Sequence, residues 1–565
     1  MTRLEAETAG GRWANLFPIL RWARAYDRGW LRGDIIAGIA VAALIIPKNL
    51  GYADIAGVPL QNGLYAAAIG AVVYAIFGTS RQISTGPSSA LAAVAASAVA
   101  VAGITGTDRI ASFVALVTLV SGALFVLVAA LKLGRIAQFL SRAVVTGFLF
   151  GAGLDVTIGE LPKITGTDAT GTNAIAELWS WLGTLGDTHT ASAVVGLVAL
   201  LTVFGLRVVA PRLPGALVLL VGGLLATWAV DLQAMGVALV GDIPRGLPSL
   251  EIPDMTLLSD HGLTSAAAAI ALVLIGFSQT AGDSRAFASK HRYRIDLDQE
   301  CLAQGAANIG AGIFQGMPVS TSLSASALND HSGARSGLAS IVTGAIVLLT
   351  LLLLAPLFSN LPQPVLAALI IEAVVFGMMD LPEMRRLRRV KPFDFWVAVG
   401  AIAGTLLFGV FAGVMIGIGL SLLWLVAVAT RPPMPLLGRD PETMVFRELD
   451  DDSRREQIPG VVVLRLDGGL FFATSDALVD RIHDVAIDQP GIRAIVLNCE
   501  GIHFIDSQGS AKIREIVELA QDNGLVLHLA RVKPQVRSVL ERDGLTEMIG
   551  ADRIHETVVS AVESV

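Results

Sequence analysis

The sequence predicts an all-α membrane protein of about fourteen transmembrane segments, arranged as two inverted seven-span repeats and followed by a cytosolic α/β domain. Three observations predict it. Of 565 residues, 53% are hydrophobic and only 16% charged, and the mean hydropathy is +0.66, a balance that soluble domains do not have. Apolar stretches of spanning length recur from residue 34 to about residue 430. Composition then changes abruptly at RPPMPLLGRDPE, beyond which short apolar runs alternate with amphipathic ones. The net charge of -7 hides an uneven distribution, with bases beside the apolar segments and acids in the last quarter, so it carries no signal for nucleic acid.

Residues 1–33 hold no apolar core of signal-peptide length and read as a basic, partly helical cytosolic leader. Spans follow near 34–50, 63–78, 87–102, 110–131, 143–159, 191–207 and 214–230. A second set lies near 264–281, 298–315, 318–333, 337–356, 365–379, 394–411 and 413–429. Arg28 with Arg32, Arg81, Lys132 with Arg135 and Arg142, Arg207 with Arg212, Lys290 to Arg294 and Arg385 to Lys391 all fall on one side of these spans. Loops rich in Lys and Arg stay in the cytosol, which places both termini there and the chain as a multi-pass protein of the cytoplasmic membrane. An odd number of crossings separates the starts of the two halves, so the halves are inverted, as in secondary transporters.

The third span of each half has an unusual opening: TSRQISTGPSSALAAVAAS in the first and QGMPVSTSLSASALN in the second. Pro318 followed by Ser320, Thr321, Ser322, Ser324 and Ser326 reads as a helix start, with proline in the first turn and hydroxyls capping free N–H groups. A start at bilayer depth must face protein, water or a ligand, because lipid cannot satisfy its unpaired N–H groups. The positive end of the helix dipole makes that ligand an anion; a kinked, serine-rich packing helix is the competing reading.

The domain boundaries that follow are a transmembrane region over 34–430, a linker over 431–455 and a soluble domain over 456–565. In the last, VVVLRL (461–466), LFFAT (470–474), AIVLNC (494–499) and LVLHLA (525–530) read as strands, and 507–524 as an amphipathic helix stopped by glycine. Cys301 lies in an apolar segment and Cys499 in the soluble part, which excludes a disulfide framework. Neither a nucleotide loop, a metal cluster nor a nucleophile with its base is legible, so the sequence predicts no enzyme, no cofactor and no metal.

The runs DIIAGIAVAALIIPKNLGYADIAGVPLQNGLY, IFGTSRQISTGP, IGFSQTAGDSRAFASKHRY, GAANIGAGIFQGMPVSTSLSASALN and SGARSGLA resemble the SulP family of sulfate-permease-like anion transporters, and the C-terminal part resembles a STAS domain. The resemblance implies a core domain of spans 1–4 and 8–11 that carries the ion past a gate domain of spans 5–7 and 12–14, within a homodimer. It implies a substrate held between the N-termini of half-helices 3 and 10, hence at Pro87, Ser88 and Ser89 and at Ser322, Leu323, Ser324 and Ala325, flanked by Lys48 and Tyr52 of span 1.

Departures from the family pattern are informative. Where many members have Ser-Arg in the tenth span, this chain has Ser324 and Ala325, so a positive charge is missing; where they have Pro-Gln in the first, it has Pro47 and Lys48. At 1.5 Å per residue from Asp34, Lys48 lies about 21 Å along a core of roughly 30 Å. A lysine at that depth costs on the order of 3 kcal/mol unless it is paired or wet, which makes it a functional candidate beside the alternative of a snorkelling or structurally paired lysine. The acid that proton-coupled members carry in the eighth span is here Gln279, which leaves Asp283, Asp155 and Glu372 as coupling candidates beside structural pairing. In FIDSQGSAKI the phosphate acceptor of similar anti-sigma antagonists is replaced by Gln508, and Ser507 reads as a helix cap.

The function expected is secondary transport of a small anion (sulfate, bicarbonate, chloride or a dicarboxylate) by an elevator-like displacement, with a proton or sodium ion as coupling partner and cytosolic proteins as partners of the STAS domain. An uncoupled, channel-like conductor and a membrane-anchored signalling scaffold are the alternatives.

Overall fold

In the computed structural model, residues 16–565 are described apart from 134–141, 172, 211–212, 242, 450–454 and 489–490. Arg135, Arg212 and residues 1–15 of the leader therefore lie outside the described residues. The chain divides into two compact units, residues 1–421 and 422–565.

Each predicted span holds a helix: α1 Leu31–Ile55, α2 Leu60–Phe77, α3 Ser89–Ala102, α4 Thr107–Ala130, α5 Arg142–Thr165, α6 Thr190–Val209 and α7 Gly215–Val230 in the first half. The second half holds α8 Gly262–His291, α9 Leu297–Ile313, α10 Leu323–His331, α11 Leu338–Leu353, α12 Gln363–Met378, α13 Pro392–Phe408 and α14 Val410–Ala429. Among the described residues eight helical stretches are long and apolar enough to cross a membrane, and α3, α7, α11 and α13 are shorter apolar helices. Runs of Ala, Val, Leu and Ile make these helices apolar all round, as lipid-embedded helices must be.

Packing sorts the helices into two groups. In one, α9 lies on α4 and α2, α11 on α1 and α2, α8 on α4 and α3, and α10 on α1. In the other, α5 lies on α13 and α12, and α6 on α12, α7 and α5. Apart from α14, these are the sets that the resemblance assigns to core and gate. The seam between them is carried by α1, against α12 and α7, and by α3, against α12 and α5.

Two buried carboxylates tie the loops of the first group. Asp34, at the start of α1, accepts from the N–H groups of Arg335 (2.7 Å) and Ser336 (3.2 Å) and from the Ser336 hydroxyl (2.7 Å). Glu300, fully buried, accepts from Tyr74, from the Thr79 N–H (2.8 Å) and hydroxyl (2.5 Å), and from Ser80 N–H (3.2 Å). Charge-assisted bonds of this kind replace the water that a buried carboxylate loses.

The second unit carries a six-stranded sheet of β3 Leu436–Arg439, β4 Phe446–Glu448, β5 Val461–Arg465, β6 Ala494–Asn498, β7 Val526–Ala530 and β8 Ile554–His555, in the order β4-β3-β5-β6-β7-β8, with β5 to β8 parallel. Ile495 and Leu497 of β6 enter one apolar cluster with helices α15 Ser475–Asp488 and α16 Ser507–Asp522, while Val496 between them enters another with Val558 and Ala561. Burial on both faces is why β6 reads as an unbroken apolar run.

Three expectations for this unit need correction. Part of the expected linker forms β3 Leu436–Arg439 and β4 Phe446–Glu448, an antiparallel hairpin on the edge of the sheet, because Leu437 on β3 can join the core beside Val461 and Val463. LFFAT is a turn rather than a strand: the Thr474 hydroxyl donates to the Gly469 carbonyl (2.8 Å) and accepts from Phe471 N–H (3.1 Å), curling the chain after two glycines. The cap of α16 is Asp506, whose carboxylate accepts from Gly509 N–H at 2.7 Å; Ser507 is the first helical residue.

Candidate functional site

The openings of the two third spans cross. Thr85–Pro87 forms β1 and Val319–Thr321 forms β2, paired antiparallel with Thr85 opposite Thr321, Gly86 opposite Ser320 and Pro87 opposite Val319. Pro318 thus precedes a strand and does not occupy the first turn of a helix, which corrects the expected start. The strand wins because pairing with β1 satisfies backbone groups that a helix would leave open at its end. Antiparallel pairing is also what inverted halves demand, since corresponding segments then run in opposite directions.

Helix α3 leaves one end of this short ladder and α10 the other. Ser88 caps α3, accepting from Leu91 N–H, and Ser322 caps α10, accepting from Ala325 N–H, both at 3.4 Å. Ser322 N–H donates to the Ser84 carbonyl at 3.0 Å, which joins the second helix start to the first strand. The remaining first-turn N–H groups of both helices have no intrahelical acceptor and present partial positive charge.

Side chains from α8 and α9 brace the crossing. The Ser320 hydroxyl donates to Gln279 Oε1 at 2.7 Å, and the Thr321 hydroxyl to Asp283 Oδ2 at 2.9 Å, so the two α8 residues hold consecutive residues of β2. Since α8 continues to His291, Asp283 lies inside the helix and not at its end. Asn308 of α9 brackets Val319, accepting its N–H at 3.0 Å and donating to its carbonyl at 2.9 Å. Gln304 donates to the Thr85 hydroxyl at 3.3 Å. Sequence reasoning missed Asn308 and Gln304: two amides in the small-residue run AQGAANIG are too few to mark a site. Gly316 lets this strand approach α2, because a Cβ there would come within 2.9 Å of the Ala66 Cβ.

Span 1 supplies the charge. Lys48 and Tyr52 are half-buried and one turn apart on α1, where Pro47 sits within a continuous helix. The Tyr52 hydroxyl interacts with Ser89 at the start of α3. The charged groups acting on Lys48 are Glu372 of α12 and Arg207 of α6. Those two pair with each other, and Arg207 lies 3.6 Å from the centre of the Phe376 ring. Among the described residues Lys48 itself forms no ion pair. Arg207, counted from the sequence among flanking bases, thus has a partner 165 positions away.

The structure therefore brings Lys48, Tyr52 and Ser89 together with Glu372, and Gln279 with Asp283 around β2. Pro87 and Ser89 are buried, Ser88 and Ser322 half-buried, and Leu323 and Ser324 exposed. Ala325 is 1% exposed and packs in the apolar cluster with Val41, Ala42 and Ile45 of α1, so its side chain faces protein. Asp155 lies elsewhere on α5, where the charge acting on it is Glu177.

Two crossed half-helices inside a bundle of apolar helices define a membrane anion transporter. The model of the sulfate permease family matches residues 31–401 and that of the STAS domain residues 453–561. A probable sulfate transporter of Mycobacterium tuberculosis is 33% identical over 96% of both chains. The chloroplastic sulfate transporter 4.1 of Arabidopsis thaliana is 28% identical over 96% of this chain and 82% of its own. The chain belongs to the sulfate permease family, whose members are transporters and not enzymes. Its fold is shared with the murine Solute Carrier 26 family member A9 anion transporter in the inward-facing state, at a TM-score of 0.88 and 20% identity over 99% of this chain and 97% of that one. The transmembrane domain of a cyanobacterium bicarbonate transporter superposes with a TM-score of 0.62 at 21% identity, covering 69% of this chain and 98% of that one.

Proposed function

We propose that the protein is a secondary transporter of a small anion in the cytoplasmic membrane, holding the anion between the N-termini of α3 and α10 beside Lys48. The observation that carries this reading is the antiparallel β1–β2 crossing, which aims two helix starts at one region that α1 borders. Each start offers about half a unit of positive charge, whereas stripping water from an anion costs several kcal/mol. A full charge at 4 Å contributes roughly 4 kcal/mol at an effective dielectric of 20, and Lys48 supplies it where the family's arginine is replaced by Ala325. An ammonium is a point charge without the bidentate fork of arginine, so the site selects by field more than by shape. Sulfate, the substrate named for the relatives, and bicarbonate, named for a structural neighbour, are the first anions to test.

The seam, where α1 and α3 of the core touch α12, α7 and α5 of the gate, supports an elevator-like movement in which the core slides with its site. Both termini face the cytosol in this reading, with a transmembrane region over 34–430 and the STAS domain serving assembly of a homodimer or binding cytosolic proteins. Asp283, bonded to β2, is the leading candidate for proton coupling. In proteoliposomes, Lys48→Gln should weaken apparent anion affinity tenfold or more, about 1.4 kcal/mol. A Lys48→Gln carrier that binds the anion as tightly as the parent makes the lysine structural, and no flux of any tested anion favours a scaffold.

A further inference from the structure

At the end of α1 remote from Leu31, a second set of charges spans the seam. Lys163 of α5 donates to Asp54 of α1 at 2.5 Å and to Glu160, one turn back on its own helix, at 3.0 Å. Glu160 is 5% exposed, and its other oxygen is buried without a partner. Asp54 and Lys163 side chains are 28% and 33% exposed, so water reaches one face of their pair. Charged groups acting on this set are Glu160, Lys163, Asp54 and, from the helix Ala174–Gly183, Glu177. His189, the cap of α6, donates its backbone N–H to the Thr165 carbonyl at 2.9 Å.

The two carboxylates have different jobs. Glu160 and Lys163 ride on one helix, so their pair survives any movement of the gate as a body; it keeps the lysine charged and aimed. Asp54 belongs to the other group, since α1 packs on α2, α10 and α11 while α5 packs on α12 and α13. Two bodies that slide past each other cannot keep a 2.5 Å link throughout. We infer that the Asp54–Lys163 ion pair is a latch that holds the seam shut at this end of the membrane, and that Glu160 is the tether that keeps Lys163 ready to re-engage. The inference rests on the core-and-gate reading above. With Asp54 drawn away, Lys163 returns to Glu160 alone, so opening breaks a half-exposed pair and leaves no buried charge unpaired. The latch therefore biases the equilibrium between open and closed forms without blocking it.

The test uses the full chain. In Asp54→Cys/Lys163→Cys, a short bis-methanethiosulfonate reagent should reduce transport at least about tenfold, reversed by reductant, while the same treatment leaves each single-cysteine variant at its own untreated rate. Cys301 and Cys499 are buried and do not compete. Because the double variant leaves Glu160 buried without its lysine and can fail to fold, Asp54→Asn gives a second readout that keeps the tether. Compared between whole cells and inside-out vesicles, it should tighten apparent anion affinity about threefold or more on the side where the latch lies, and weaken it on the other. Normal transport across the cross-link, or affinities unchanged on both sides in Asp54→Asn, overturns the latch. The two readings fail separately: a silent Lys48→Gln removes the anion site, whereas retained transport across the cross-link removes the latch.

Discussion

The two half-helices solve the same problem with different materials. Helix α3 is 14 residues long, mostly apolar, and its first residues, Ser89 to Leu91, are buried. Helix α10 is 9 residues long, its first turn exposes Leu323 and Ser324, and the strand before it is braced by Gln279, Asp283 and Asn308. An isolated helix below about 12 residues is marginal, so α10 depends on its bracing where α3 depends on its own length and packing. The lesson is that a symmetric crossing need not be symmetric in energy: the polar, adjustable half lies on the α10 side.

The largest effect should come from Asn308→Leu. Its amide satisfies both backbone groups of Val319, and each buried group left unpaired costs about 1–3 kcal/mol. Loss of about 3 kcal/mol or more is expected, read as a lower thermal midpoint in detergent and reduced yield. Ser89→Ala at the α3 start should cost much less, and equal losses would show that the two openings are braced alike.

Next comes Asp283→Asn. The asparagine carbonyl can still accept from the Thr321 hydroxyl, so β2 keeps its bond while the titrating group is gone. Transport should then proceed at the parent's affinity but lose its dependence on pH between the two sides. A variant that retains the parent's pH profile takes Asp283 out of coupling and leaves it a strut.

How far such asymmetry can be read from the sequence depends on the range of the interaction. Spans were legible because apolar length is a local property, and the break opening each third span because Pro, Ser and Thr change the chemistry of a few adjacent residues, although the second helix starts at Leu323 and not at Pro318. The β1–β2 ladder was not: three residues such as Val319, Ser320 and Thr321 have too little period to show a strand, and their partner lies over 200 positions away. Long range also hid the Arg207–Glu372 pair, 165 positions apart, and the inward packing of Ala325 among α1 residues, whereas the Asn308 bracket spans only 11 positions and was hidden by having no period. In the STAS domain, Leu470 to Thr474 carried strand propensity, yet a hydroxyl bond from Thr474 to the Gly469 carbonyl decided the turn, because strand preference follows packing more than composition.

The smallest and most local effect concerns the caps. Ser88 and Ser322 make the same bond at the same 3.4 Å, so any difference between their alanine variants reports the helix behind the cap and not the cap itself. Removing a serine cap costs about 1 kcal/mol. In α3 that loss is spread over a helix whose Ala90 to Ala95 face is buried, and local opening there should change little. In α10, with Ala325, Ser326 and Asn329 as its buried residues, the same loss falls on a short element and should appear as local fraying. Hydrogen exchange in 323–331 should accelerate about fivefold in Ser322→Ala, while exchange in 89–102 stays near the parent's rate in Ser88→Ala. Equal acceleration in both segments would mean that length does not separate the two half-helices, and the energetic asymmetry would then rest on the α8 and α9 side chains alone.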